Sequence, residues 1–508
     1  MRMTVNPAPG LCAALRDDLT GAGYRAAELR AAWGAEADEA IGRGIAGPAL
    51  AALGERRDPL ATLARMLFLG RACAASDVSR ALPRLGAVGL VGLGLAAQRG
   101  DTLEPAALVR PQEISDGLGD GQWWIASDLD ELALGGALPT DHVLGVGGAS
   151  LTLAGLQLTS PAGPVLDVGT GCGIQALRAR RVAGRAVATD VSHRALAFTR
   201  LNAQLNDVGD IEVRHGNLFD PVAGEQFDRV VSNPPFVITP RVAGVPEYEY
   251  RDGGLAGDAL VARVVSGVGA VLAPRGVAQL LGNWEYGADG DGLERVRGWV
   301  AASPVPLDAW VVERERLDPL AYAELWVRDG GTVPGTAEYD RLITAWLADF
   351  ADRGVTGIGF GYVLLRRPAA GTPTLARYER ATQPVAGALG AHLTAALAAW
   401  DRIAAMDDVA LAATVLTVAT DVSEARHHTP GEEHPRVIEL RQGGGFARTV
   451  PVDPALAALV GACDGDLPLG TLIDAVAELM EVDAGALRAD LLPRVRELVF
   501  TGFLGLPG

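Results

Sequence analysis

Apolar residues recur at helical spacing over 11–22, 26–33 and 59–73. Gly, Pro and Asp breaks separate these runs, as at Gly21-Ala22-Gly23 and Gly42-Arg43-Gly44. Ser76-Asp77 is placed to cap a further helix through Leu82, and 90–109 reads as a short β-wing. Residues 1–110 are therefore expected to form a helical, winged-helix-like module. From Pro164 the pattern switches to strands over 164–168, 186–190, 211–214, 227–232, 276–281, 307–314 and 360–366. Helices are expected between them at 174–182, 194–206, 256–272 and 293–302, with helical stretches to 352. This alternation predicts an α/β domain over 111–367, with a doubly wound, mostly parallel sheet of seven strands. Its two final strands would form an antiparallel edge pair. The remainder, 368–508, reads as a third unit. An Ala-rich helical region spans 373–419, and Gln442-Gly443-Gly444-Gly445 signals a hairpin between 437–441 and 446–452. Amphipathic helices near 454–462, 468–480 and 484–500 complete a second winged-helix-like module.

Composition narrows the class. The chain has 508 residues, 49% hydrophobic and 21% charged, as in a globular protein of about three domains. The longest apolar run, 85–97, is too short and glycine-rich to span a bilayer, and residues 1–10 lack a signal peptide's apolar core. A cytoplasmic protein without a membrane partner is expected. Cys12, Cys73, Cys172 and Cys463 are scattered, which suggests reduced structural thiols. The 44 basic residues are all Arg. The net charge is −18 overall, −1 over 1–120 and −8 over 368–508, so no basic field for phosphates is visible.

The chemistry concentrates between 165 and 236. Val165-Leu166-Asp167-Val168 runs into Gly169-Thr170-Gly171-Cys172-Gly173, a turn whose glycines permit close backbone approach by a ligand. The third glycine comes one residue earlier than in the dinucleotide fingerprint G-x-G-x-x-G. Asp190, ending the next strand, is placed to accept from ribose hydroxyls. The fourth strand ends in Asn233-Pro234-Pro235-Phe236. Its two prolines remove two N–H donors and leave carbonyl oxygens free at a strand's carboxyl end. The Asn233 side-chain oxygen and the Pro234 carbonyl can each accept one N–H of a planar NH2 group, and Phe236 offers a ring face. Such a site works by positioning and electrostatics.

This block resembles the class I S-adenosylmethionine (SAM) methyltransferases of the HemK/PrmC-like and small-domain amino-methyltransferase group, over about 164–367. The resemblance implies a Rossmann-like methyltransferase sheet with SAM as cofactor. It also implies that Asp167, Gly169, Gly171 and Gly173 line SAM, Asp190 binds its ribose, and Asn217-Leu218 flanks its adenine. Asn233, Pro234, Pro235 and Phe236 would form the catalytic clamp for the acceptor nitrogen, with Asn233 also at the cofactor. Arg251-Asp252-Gly253-Gly254-Leu255-Ala256-Gly257 resembles the loop that follows the catalytic strand in HemK-like enzymes. Three departures stand out. Asn217 replaces a common Asp, and Phe236 replaces the Tyr of the glutamine-modifying branch. Pro139-Thr140-Asp141-His142-Val143-Leu144-Gly145 stands where that branch has Pro-Arg-Pro-x-Thr-Glu.

The expected activity is SAM-dependent N-methylation of an exocyclic amino nitrogen on a macromolecule. A nucleic-acid base (rRNA, tRNA or DNA) is slightly preferred; a glutamine of a translation factor is the alternative, and a non-catalytic SAM-binding regulator ranks last. No metal is expected: His427, His428 and His434 with Glu432 and Glu433 lack zinc-type spacing and read as a solvated loop. Cys172 reads as a small filler, Trp123-Trp124 as packing, and His142 and His193 as surface or capping residues.

Overall fold

The computed structural model describes residues 3–135, 138–246, 248, 251–288, 290–385 and 387–507. The chain divides into two compact units, 1–157 with 161–380, and 158–160 with 381–508.

At the centre of the first unit lies a sheet of β1 (Val165–Val168), β2 (Ala186–Asp190), β3 (Ile211–His215), β4 (Phe227–Ser232), β5 (Leu272–Gly287), β6 (Asp308–Leu317), β7 (Val355–Arg366) and β8 (Ala376–Arg380). Their order is β8-β6-β7-β5-β4-β1-β2-β3. Strands β1 to β5 pair in parallel, and β7 runs antiparallel between β5 and β6. Central strands buried on both faces are mostly apolar, and β1 is buried at all four positions with Asp167 as its one polar residue. The α/β expectation holds and the two strands expected last, β6 and β7, pair antiparallel, but neither lies at the edge, which β8 occupies. The sheet has eight strands rather than seven: β8, in the stretch expected to be helical, pairs in parallel with β6. Its Ala-Arg-Tyr-Glu-Arg alternation suits an edge strand, and the alanines around it masked that signal.

Strands β5 and β7 run longer than expected. The start of β7 carries Gly357, Gly359 and Gly361, and a Cβ at Gly359 or Gly361 would lie 2.3 or 2.6 Å from the Trp284 ring. The glycines make room for an indole that donates to Glu313 Oε2 at 2.8 Å.

Helices α1 (Ile174–Ala179), α2 (His193–Leu205), α3 (Ala259–Gly267) and α4 (Gly292–Ala301) make the crossovers. Between β6 and β7 comes a helical insertion, α5 (Pro319–Asp329) and α6 (Ala337–Asp352), capped by Asp318 and Thr336. Its Tyr322, Trp346 and Phe350 form a buried core with Val237, Ile238 and Ile358.

The N-terminal part of this unit has seven α-helices among its described residues, from Pro9–Gly21 to Gly86–Gly92, and a three-stranded antiparallel sheet of Cys73–Ala74, Ala96–Arg99 and Thr102–Pro105. The expected wing starts later than 90, because helix Gly86–Gly92 occupies its first residues. A hairpin of Leu108–Asp116 and Gly119–Ser127 then lies against the sheet domain. Asn202 of α2 accepts from Ala126 N (2.7 Å) and donates to Ala126 O (2.9 Å) and Cys172 O (2.8 Å). One helical turn on, Asn206 exchanges two 2.8 Å bonds with Trp124 N and O. Asp116 forms a fully buried ion pair with Arg178 of α1 and a second, at 3.1 Å, with Arg181.

In the second unit, strand Val415–Val418 pairs with Asp464–Pro468 and Leu504–Gly505, and Val422–His427, Val437–Gln442 and Thr449–Val452 form an antiparallel sheet. The expected hairpin across Gly443-Gly444-Gly445 forms. Helices Pro454–Gly461, Leu469–Met480 and Ala484–Phe500 follow. The region expected to be helical to 419 instead contains two helices, Gly390–Ala404 and Asp408–Ala412, and then a strand.

Candidate active site

The turn after β1 carries Gly169, Gly171 and Gly173 at φ +71°, +55° and +85°, a region that favours glycine. Their surroundings differ. A Cβ on Gly169 or Gly171 would meet nothing within 4 Å, whereas one on Gly173 would lie 2.9 Å from Thr199 Cγ2 and 3.2 Å from its Cα. The first two face open space; the third lets α2 pack against the turn.

Asp167 is buried and does not reach the cavity wall. Its Oδ2 accepts from Thr170 Oγ1 (2.6 Å) and Ala176 N (3.1 Å), tying the turn to α1. Burial pushes its pKa up to about 7 despite these bonds. Asp190 does line the cavity. Its Oδ2 accepts from Gly171 N at 3.0 Å and its Oδ1 from Ser192 N at 2.8 Å. Burial raises its pKa as well.

The cavity, about 370 Å³, opens at the carboxyl ends of β1, β2 and β4. Its wall brings together Gly169, Gly171, Asp190, Asn217, Leu218, Asn233, Pro234 and Pro235, with Asp252 and Gly253 of the loop after the clamp. Asn233 Oδ1 is buried and has no hydrogen-bond partner among the described residues. Phe236 lies outside the wall, its ring edge-on to Trp326 at 6.2 Å between centroids. Asp252 is held by Arg241 (3.0 Å) and accepts from Gly254 N at 3.0 Å.

Sequence reasoning missed the wall formed by His142, Val143, Leu144, Gly145 and Ser150. His142 is buried there and is neither a surface nor a capping residue. The available signal was its position in the segment that replaces a family signature. Asp128 fixes this wall: its N–H donates to Val143 O (3.1 Å) and its Oδ2 accepts from Val143 N (2.9 Å). Arg194 of α2 clasps both carboxylate oxygens. His193 is exposed and stacks on His215 at 3.9 Å, while Ser192 caps α2. Cys172 is buried against Ile114, Ile125 and Leu177, and burial pushes its pKa up to about 11. Trp124 packs in the core and donates from Nε1 to Tyr24 O at 2.7 Å.

The strand order, the turn and the clamp at the end of β4 define a Rossmann-like methyltransferase domain. Residues 147–243 match the family model described as "Methyltransferase small domain". Two models described as domains of unknown function, DUF7059 and DUF7782, match 21–106 and 395–506. A release factor glutamine methyltransferase of Xylella fastidiosa (strain Temecula1) is 34% identical over 149 residues, 27% of this chain and 54% of that protein. The enzyme of that name from Enterococcus faecalis is 45% identical over 75 residues, 14% of this chain and 27% of its own. A ribosomal protein L11 methyltransferase of Lactobacillus gasseri is 40% identical over 70 residues, 14% and 22% of the two chains. The chain thus spans about half or less of the length of these curated relatives. The sheet domain therefore carries a methyltransferase small domain and is similar to the class I SAM-dependent methyltransferases of the HemK/PrmC-like group.

SAM is the cofactor of this class, and the cavity suits it. Two glycines leave the turn bare on the cavity side, and Asp190, Asn217 and Leu218 line the same cavity.

Proposed function

We propose that this protein transfers the methyl group of SAM to the nitrogen of an uncharged planar NH2 group, and that the acceptor is a protein side-chain amide of the glutamine type. The carrying observation is Asn233 Oδ1, a buried acceptor in the cavity wall with no partner among the described residues. A buried acceptor left unpaired is costly, and the missing donor is the acceptor's N–H. Bound SAM supplies an electrophilic methyl. The chain's own groups orient the nitrogen: Asn233 Oδ1 and the Pro234 carbonyl accept from its two in-plane N–H bonds, which fixes the amide plane and leaves the nitrogen's lone-pair axis, perpendicular to that plane, open to the methyl. Gly169, Gly171, Asp190, Asn217 and Leu218 are assigned to the cofactor by direct contact, and Asp167 and Gly173 by shaping the turn.

Charge favours an amide over a base. The ionisable wall residues are His142, Cys172, Asp190 and Asp252, none of them an Arg, and no Arg occurs between Arg110 and Arg178. A base would bring its phosphates to a mouth without guanidinium groups on the wall. The engagement of Phe236 by Trp326 points the same way. The names of the relatives agree with a protein acceptor. A three-stranded sheet among N-terminal helices, and a hairpin beside three helices in 381–508, support winged-helix-like modules that select the substrate.

The test is transfer of labelled methyl from SAM into cell lysate by the pure protein, with Asn233→Ala as control. Transfer is expected to drop at least a hundredfold in the variant while SAM affinity stays within a few-fold. Protease should release the label and nuclease should not. Label lost to nuclease would establish a base as the acceptor.

A further inference from the structure

Two prolines leave the clamp with few means of being held. Pro234 and Pro235 have no N–H, so the segment after Ser232 depends on the amides that follow. Two of these are anchored in succession: Val237 N donates to Arg251 O at 2.9 Å, and Ile238 N donates to Tyr322 Oη at 3.0 Å. Both anchors lead to α5. Tyr322 lies in its first turns, fully buried among Trp326, Trp346, Phe350 and Phe360, and its hydroxyl also accepts from Asn283 Nδ2 at 2.9 Å. Arg251 is tied to the end of the same helix, donating from Nη1 to Trp326 O (3.1 Å) and to Asp329 Oδ2 (2.6 Å). Its guanidinium also lies 4.4 Å from the Tyr248 ring centroid.

We infer that α5, part of the insertion between β6 and β7, is the brace of the acceptor clamp, with Tyr322 and the Arg251–Asp329 pair as positioning residues that set where Asn233 Oδ1 and the Pro234 carbonyl point. The inference rests on the proposed amino-methyl transfer. None of these residues lines the cavity, so their effect passes through the clamp. Asn233 and Pro234 lie three to five residues from the two anchored amides, and no proline N–H offers an alternative hold. Because the turn after β1 and Asp190 make no contact with α5 in the bonds described above, cofactor binding is expected to be indifferent to the brace.

Tyr322→Phe removes one hydroxyl and keeps the ring; Asp329→Asn removes one charge at a half-exposed position. Three readouts apply to both variants: SAM affinity by calorimetry, the maximal rate of labelled methyl transfer into protein of a cell lysate, and hydrogen exchange of the peptide containing Val237 and Ile238. The expected result is SAM affinity within twofold of wild type, a maximal rate lowered about tenfold or more, and exchange of that peptide at least tenfold faster. Wild-type rate and exchange in both variants would overturn the inference. If wild type itself transfers no methyl group, the functional reading fails, and the exchange measurement alone decides the brace. If Tyr322→Phe does not fold, Asp329→Asn decides: unchanged exchange there overturns the inference, and faster exchange with SAM binding intact supports it.

Discussion

At the scale of single residues, the two acids of the cofactor region behave differently. Asp190 faces the cavity with both oxygens braced by backbone N–H groups, while Asp167 is a buried tie within the turn. The raised pKa of Asp167 has a thermodynamic consequence. The folded chain holds a proton on this group until about pH 7, whereas the unfolded chain releases it near 3.8, so folding takes up a proton between those values. Stability from this group therefore falls as pH rises from about 4 to about 7 and then levels off. Asp167→Asn is expected to remove that slope. Urea unfolding of both proteins at pH 5 and pH 8 checks it: the wild type should lose more stability than the variant over that interval, and equal losses would contradict the assignment.

At the scale of elements, hydrogen bonds made by side chains replace strand pairing where the hairpin meets α2. Asn202→Ala deletes three buried bonds and strands the amide and carbonyl of Ala126. A loss of roughly 2–4 kcal/mol is expected, read from the shift of a denaturation midpoint. This junction also shows why legibility in the sequence was uneven. Strands β1, β2 and β4 were readable from short clusters of apolar residues ending in a turn or a Pro pair, and β3 from its alternation, and Asp190 and Asn233 could be placed from strand ends alone. Strand β7 ran past its apparent start, and there Gly359 and Gly361 make room for the Trp284 ring of β5 rather than forming a turn. His142 was misplaced because its burial depends on Asp128, fourteen residues away, and on Arg194, from a different element. Spacing reports local periodicity; it carries nothing about such long-range partners.

At the scale of the molecule, the N-terminal helices and the methyltransferase sheet share one core. Ala195, Phe198, Leu201 and Leu205 of α2 belong to the same apolar cluster as Leu19, Leu67 and Trp124. A chain shortened to begin at Gly148 would expose these four side chains, at about 1.5–3 kcal/mol for each large one. The total rivals the whole stability of a typical domain, about 5–15 kcal/mol. Such a chain is expected to lack a cooperative thermal transition and to be largely insoluble, measured by calorimetry and by the soluble fraction. A cooperative melt like that of the full chain would show instead that the sheet domain stands alone.

The same asparagine pair also bears on what the protein avoids. Strand Gly119–Ser127 has its hairpin mate on one side, and on the other its outward amides and carbonyls at Trp124 and Ala126 are consumed by Asn206 and Asn202. A bare strand edge templates the addition of a strand from another molecule. Here that edge offers an incoming chain nothing to pair with along its apolar half, so the hairpin is shielded from self-association without a further strand to cover it.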